Sequence, residues 1–482
     1  MKAPDQIATA GSLAAGLLFL LAFAAPSGEC APTNQTQTDP RAITSDQPVQ
    51  ATVYDLDPNH LWNRLFAIFY CRRDMTYPGE LAKTTKAELL PAQMGAHVLD
   101  PPLGIHPRFL LDEKPFTECE SVLDEFIAAR GERLIRDPLK RAVMQRDLWA
   151  VFDLVQTETE DFKRNYGDTP KQFTATHQEH RRAFGQKLAA IIRRLALSRK
   201  EIEALPNTYT DAIRSGTFPD RAVGQSKGNY LPGDLFARDS RWVEVSPSGG
   251  FLHMQLVRGR SVFRVFLGSP ESEKAAKEFS NWIEAVRQGI EARQRDPEGF
   301  DHRADRYEMW ERTIDNMPTG TQFLLLREMV CLDEKCELVP TRVVESIQLR
   351  VYLTRTPNEG DLTQLFEEFE MDRPLLFGSK SGGFRPIGID EPRVFGYMAL
   401  GRLAVNETGQ ILPLSPFPQN CITCHVQRSG IPMVQSLSRG CGISRPDPAR
   451  GIEKTIRWKR EQKDFKRLLE WAGGEKVHEP SH

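Results

Sequence analysis

Cys421-Ile422-Thr423-Cys424-His425 sets two thiols three positions apart, with an imidazole directly after the second. In that order the thiols can bond to the two vinyl groups of a haem while the next residue ligates its iron. The sulfurs would clamp one edge of the macrocycle and a tight turn would bring the imidazole beneath the metal, so cofactor and ligand are held without a large pocket. With eight Cys and ten His in the chain, chance would supply roughly 0.003 such pentapeptides in a sequence of this composition.

Three other chemistries draw on similar residues. A thioredoxin-like dithiol should follow a strand in a βαβ unit, whereas Pro416, Pro418 and Asn420 make the approach irregular. A structural zinc site wants a second ligand pair, for which Cys441 and a remote His are the available donors. A plain disulfide between Cys421 and Cys424 would be strained and would give His425 no role.

The pentapeptide at 421–425 resembles the haem-attachment motif of the cytochrome c superfamily. The resemblance implies one covalent haem c, with Cys421 and Cys424 as thioether donors and His425 as proximal iron ligand. Gly430-Ile431-Pro432-Met433 is similar to the Pro-Met neighbourhood from which such proteins supply a distal ligand, which makes Met433 the candidate. Eight residues of chain can reach roughly 26 Å, enough to pass the haem edge. Met254, Met371, Met398 and His253 are the competing donors. The whole chain resembles a loosely defined group of exported bacterial proteins with a long N-terminal region and one late Cys-x-x-Cys-His, a likeness that includes Asp137–Asp153 and Glu345–Tyr352 and implies no substrate. Few residues follow the motif, unlike a small cytochrome c with its helical domain there, and there is one motif where dihaem peroxidases have two.

That chemistry sets requirements on the rest of the chain. Covalent haem of this kind goes with export, and the apolar run Leu13–Ala25 with Ala22-Phe23-Ala24 reads as a signal peptide over 1–24. Asp5 cancels Lys2, so the run could instead persist as an N-terminal anchor. Residues 25–52 are rich in Thr, Gln, Pro and Asp and read as a flexible tether. The expected location is the periplasm or another exported site.

The expected fold class is α+β: a helical domain over 53–222, an antiparallel β-rich domain over 223–355 with a covering helix, and a largely irregular or helical haem-bearing region over 356–482. Asp57-Pro58 and Asp137-Pro138 supply helix starts. After the second, Leu139, Val143, Met144, Leu148, Val151, Phe152 and Val155 keep helical spacing and predict an amphipathic helix. Phe184 to Leu195 predict another, and Ser198 with Glu201 a capping box. Strands are expected at Trp242–Val245, Phe251–Val257 and Ser261–Leu267, then a helix capped by Ser269-Pro270 that buries Phe279, Trp282, Ile283 and Val286. Ile347, Leu349, Val351 and Leu353 alternate with Gln348, Arg350 and Tyr352, which predicts one wet strand face. Cys331 and Cys336 flank a polar turn, so a hairpin disulfide is expected between them.

A formal net charge of -2 gives no global attraction to nucleic acid or anionic membrane. The expected partner is a redox protein of unknown identity, with no nucleic acid and no membrane contact beyond the N-terminal anchor. From Arg450 to Glu470 a helix with an excess of basic residues offers one docking face. One-electron transfer through a six-coordinate haem leads. A haem peroxidase or small-ligand sensor with an open distal site, and a binding module in which haem is secondary, are the alternatives.

Overall fold

The computed structural model describes residues 52–70, 113–156, 175–219, 230–246, 261–295, 317–355, 362–387, 442–444 and 452–473. All belong to one compact unit, Ser45–His482. The expected signal peptide, the tether up to residue 51 and the strand Phe251–Val257 lie outside the described residues.

The chain builds helices first: α1 Leu61–Tyr70, α2 Glu113–Ala128, α3 Pro138–Val155, α4 Ala175–Arg194, α5 Arg199–Glu203 and α6 Thr208–Ser215. Asp137 starts α3 as its sequence foretold, its Oδ1 accepting from Leu139 N at 2.8 Å, with Pro138 at the first helical position. Ser198 and Glu201 form the expected capping box of α5. Asp57-Pro58 instead makes a turn three residues ahead of α1, in which Asn63 Nδ2 donates to the Asp55 and Asp57 carbonyls. The main correction concerns α3, which is not amphipathic. From Ala142 to Asp153 every residue is buried, because α1, α4, the sheet and the C-terminal rings of Phe465 and Trp471 surround it.

Next come β1 Trp242–Ser246, β2 Ser261–Gly268, α7 Glu273–Arg295, β3 Gln322–Leu332, β4 Leu338–Arg355, β5 Leu362–Met371, α8 Arg373–Phe377, β6 Phe384–Pro386 and β7 Gly442–Ser444. The strands form one antiparallel sheet ordered β6-β5-β4-β3-β2-β1-β7. The fold is α+β as expected, but strand pairing continues past residue 355, where the haem-bearing region was expected to begin. One sheet face takes α7, whose Phe279, Trp282, Ile283 and Val286 pack on Phe263, Val265, Leu267, Phe323 and Leu325. The opposite face packs Phe266, Leu324, Leu326, Ile347 and Leu349 against Tyr209 and Ala212 of α6 and against Tyr230, Leu231 and Leu235. Ser272, not Ser269-Pro270, starts α7, its Oγ accepting from Ala275 N at 3.2 Å.

The β4 face expected to be wet is dry at Arg350 and Tyr352, with Gln348 half-buried. Tyr352 is 2% exposed and meets the Phe323 ring edge-on, and Arg350 is 1% exposed with its guanidinium over Phe366 at 4.8 Å. The β3–β4 hairpin forms as expected, but its cysteines are free thiols rather than the expected disulfide. The register sets Val339 opposite Cys331, and Cys336 occupies a left-handed position, φ 61°, in the connecting loop. Asp333 Oδ1 accepts from the Lys335 and Glu337 amides at 2.9 and 2.8 Å and closes that loop without a cross-link.

The C-terminal helix expected over Arg450–Glu470 is two helices, α9 Ile452–Glu461 and α10 Lys463–Trp471, which join the helical core through Ile456, Phe465 and Leu468. Two of its basic groups turn inward. Lys459 is buried against Trp149 and pairs with Asp464 at 2.7 Å, while Arg467 donates to the Gln156 carbonyl at 2.8 Å.

Candidate functional site

The residues singled out for haem chemistry, Cys421, Cys424, His425 and Met433, lie outside the described residues, as do His253, Met254, Met398 and Cys441. Met371 is described, and it ends β5 packed against the helical core. The described ends of the stretch that carries the motif are β6 and β7, at opposite edges of the sheet. Seven strands make six spacings of about 4.8 Å, so these ends are roughly 29 Å apart across the sheet.

The described residues gather their buried chemistry around α3. Gln145, Arg146 and Asp147 follow one another at helical steps of about 100° and so point in three directions, each into protein. Gln145 imitates a neighbouring strand at the end of β3: its Oε1 accepts from Leu332 N at 2.9 Å, and its Nε2 donates to Leu332 O at 2.8 Å. Arg146 pairs with Glu345 of β4. The other oxygen of that carboxylate takes Arg327 of β3 at 3.4 Å and accepts from the Ser261 hydroxyl of β2. Asp147 faces Arg373 of α8, whose Nη2 lies 2.7 and 2.9 Å from its two oxygens. Tyr54 OH donates to Asp147 Oδ2 at 2.9 Å, Tyr70 OH donates to the Asp147 carbonyl at 2.7 Å, and the Arg373 guanidinium covers the Phe66 ring at 5.2 Å.

Electrostatics make this centre a brace rather than a reactive site. Burial pushes the Asp147 carboxyl up, and the Arg373 and Arg146 guanidiniums pull it only part of the way back, so it stays raised. Burial, and then the Asp147 charge, lift the Tyr54 phenol well above its ordinary value, so it remains a donor. Cys331, at the same level of β3, is pushed up to about 12 by burial and by Glu345. A thiol held protonated in this way is a poor nucleophile. Among the described residues no three His, Cys, Asp or Glu are grouped to hold a metal ion, and no helix is long and apolar enough to cross a membrane.

The two segments quoted for the whole-chain likeness, Asp137–Asp153 and Glu345–Tyr352, meet in space through the Arg146–Glu345 pair. Sequence reasoning missed this pairing. The available signal was three consecutive polar residues, Gln145 to Asp147, set within a run of large apolar ones. Comparisons of the chain with protein-family models, with curated proteins and with solved structures find no match.

Proposed function

We propose that this chain is an exported c-type haem protein that transfers one electron at a time through a single haem attached at Cys421 and Cys424 and ligated by His425. The observation that carries the reading is the pentapeptide itself. Two thiols at that spacing followed by an imidazole form the donor set that covalent haem needs, and no metal-pair or dithiol chemistry uses all three residues as economically. The apolar run Leu13–Ala25 supports it, because covalent haem of this kind goes with export. Bound haem would supply the one-electron couple. Met433 as distal ligand would leave the iron six-coordinate and closed to substrates, which is what electron transfer requires.

The test is expression in a host with active c-type maturation. Haem should survive acid–acetone extraction of the wild type, be less stably attached in Cys421→Ser and Cys424→Ser, and be extracted when both are replaced. Extraction of all haem from the wild type would refute covalent attachment. Met433→Ala should keep the haem and lose the methionine-to-iron charge-transfer band. A wild type already five-coordinate and quick to bind cyanide or peroxide would favour a peroxidase or sensor instead.

A further inference from the structure

At the β1 end of the sheet, on the face opposite α7, two buried carboxylates share one buried guanidinium. Arg264 of β2 donates through Nε and Nη2 to Glu244 of β1, at 2.9 and 2.8 Å. Its Nη1 stands 4.0 Å from Oε1 of Glu328 on β3. The rings of Phe236 and Phe266 each lie 5.1 Å from the guanidinium carbon and keep the cluster dry. The charged groups that face Glu328 among the described residues are Arg264, Glu244 and, from β4, Arg342, which is exposed and therefore screened by water.

The backbone is also irregular at this point. The β3–β4 ladder slips register between Arg327 and Glu328 and again between Glu328 and Val330, so Glu328 sits on a bulge. Glu244 is opposite Ser444 of β7, and β7 pairs only with β1 among the described residues. Any loosening of β1 therefore loosens β7.

We propose that Glu244, Arg264 and Glu328 form a proton-operated latch: with a proton on Glu328 the β1–β2–β3 end of the sheet is closed, and without it that end, with β7, opens more readily. Burial sets the direction, and the shared guanidinium offsets it only in part. One carboxylate satisfies Arg264 in a bidentate pair, so a second negative charge beside it is buried with weak compensation. Burial, and then the Glu244 charge, raise Glu328 to about 7, against the pull of Arg264 and Arg342. The latch does not depend on the haem reading.

Amide hydrogen exchange on the full-length protein tests it. After correction for intrinsic rates, protection in β1, β2 and β7 should fall as pH rises through the window below about 7, approaching tenfold per pH unit, while α4 stays level. Glu328→Gln imitates the protonated form and should abolish the slope. Glu244→Gln removes the repulsion and should move the window to lower pH. A slope shared equally by α4, or one that persists in Glu328→Gln, overturns the latch. If Glu244→Gln does not fold, infrared spectra of the carboxyl in wild type and Glu328→Gln decide. A protonated carbonyl near pH 6 that Glu328→Gln removes supports the proposal, and its absence from the wild type overturns it.

Discussion

The brace around α3 and the latch at β1 are both buried, both charged and both built across several elements, yet their charge counts differ. At the brace, Arg146, Arg327 and Arg373 face two carboxylates, Glu345 and Asp147, and the hydroxyls of Ser261 and Tyr54 occupy further acceptor positions. At the latch, Arg264 faces Glu244 and Glu328, and Glu244 holds the better geometry. Burial raises both Asp147 and Glu328; at the brace the guanidiniums in excess oppose that rise, whereas at the latch one guanidinium is shared and Glu328 reaches about 7. The same ingredients thus make a joint held by paired charges in one place and one that loosens as Glu328 loses its proton in the other.

Removing one partner of the brace should have the largest effect. Asp147→Ala leaves the Arg373 guanidinium buried against Phe66 without its carboxylate, and the expected loss is about 3–5 kcal/mol in denaturant unfolding. Replacing both partners, Asp147→Leu with Arg373→Met, should recover most of it, because no uncompensated charge remains. A single substitution that costs under about 1 kcal/mol would show that the brace is not what joins α3 to α8 and Tyr54.

The latch should show itself next, as a slope rather than a fixed loss. Glu328 has an ordinary value of 4.5 and is raised to about 7 in the fold, so the native state holds a proton that the unfolded chain has released. Its contribution is fully present below about pH 4.5 and is lost as pH rises to about 7, at most about 3 kcal/mol for a shift of this size. Glu367, also raised to about 7 by burial and held by the Tyr230 amide, adds a smaller term of the same sign because it is only half-buried. Thermal midpoints of the wild type should therefore fall across this range more steeply than those of Glu328→Gln. Equal slopes would erase the distinction between latch and brace.

How much of this was legible follows from where the signals reside. The apolar faces of α4 and α7 and the start of α3 are local patterns, and each formed where the sequence placed it. The polar residues of α3 and β4 were read as wet because periodicity reports polarity but not what stands opposite. Arg146 finds Glu345 and Arg350 finds Phe366 only after distant strands assemble. β5 escaped because its acidic and apolar residues do not sort by face: Leu365, Glu367 and Phe369 share one side, Phe366, Glu368 and Glu370 the other. The Cys421–His425 motif is the opposite case, since its chemistry is a matter of spacing alone and needs no tertiary pattern to be read.

The smallest expected effect uses Cys331 to report on the brace. Its thiol is 1% exposed beside Glu345 and is pushed up to about 12, so modification needs both exposure and ionisation, and the closed fold supplies neither. Cys336 is partly exposed in the hairpin loop, and its thiol is also raised by burial but with Arg193 opposing. Under native conditions a thiol reagent should therefore label Cys336 first, and Cys331 only through opening of the β3–β4 end. Asp147→Ala should speed Cys331 labelling while leaving Cys336 nearly unchanged, because only the former is shielded by the brace. Cys331→Ala should cost only about 1 kcal/mol, the removal of one small buried group. If Cys331 reacts as fast as Cys336 in the wild type, the brace is open on the labelling timescale and the contrast with the latch fails. If neither thiol reacts until the protein is reduced, the two are bonded in the oxidised chain. The loop geometry around Asp333 would then have to shift to bring Cys336 across from its left-handed position.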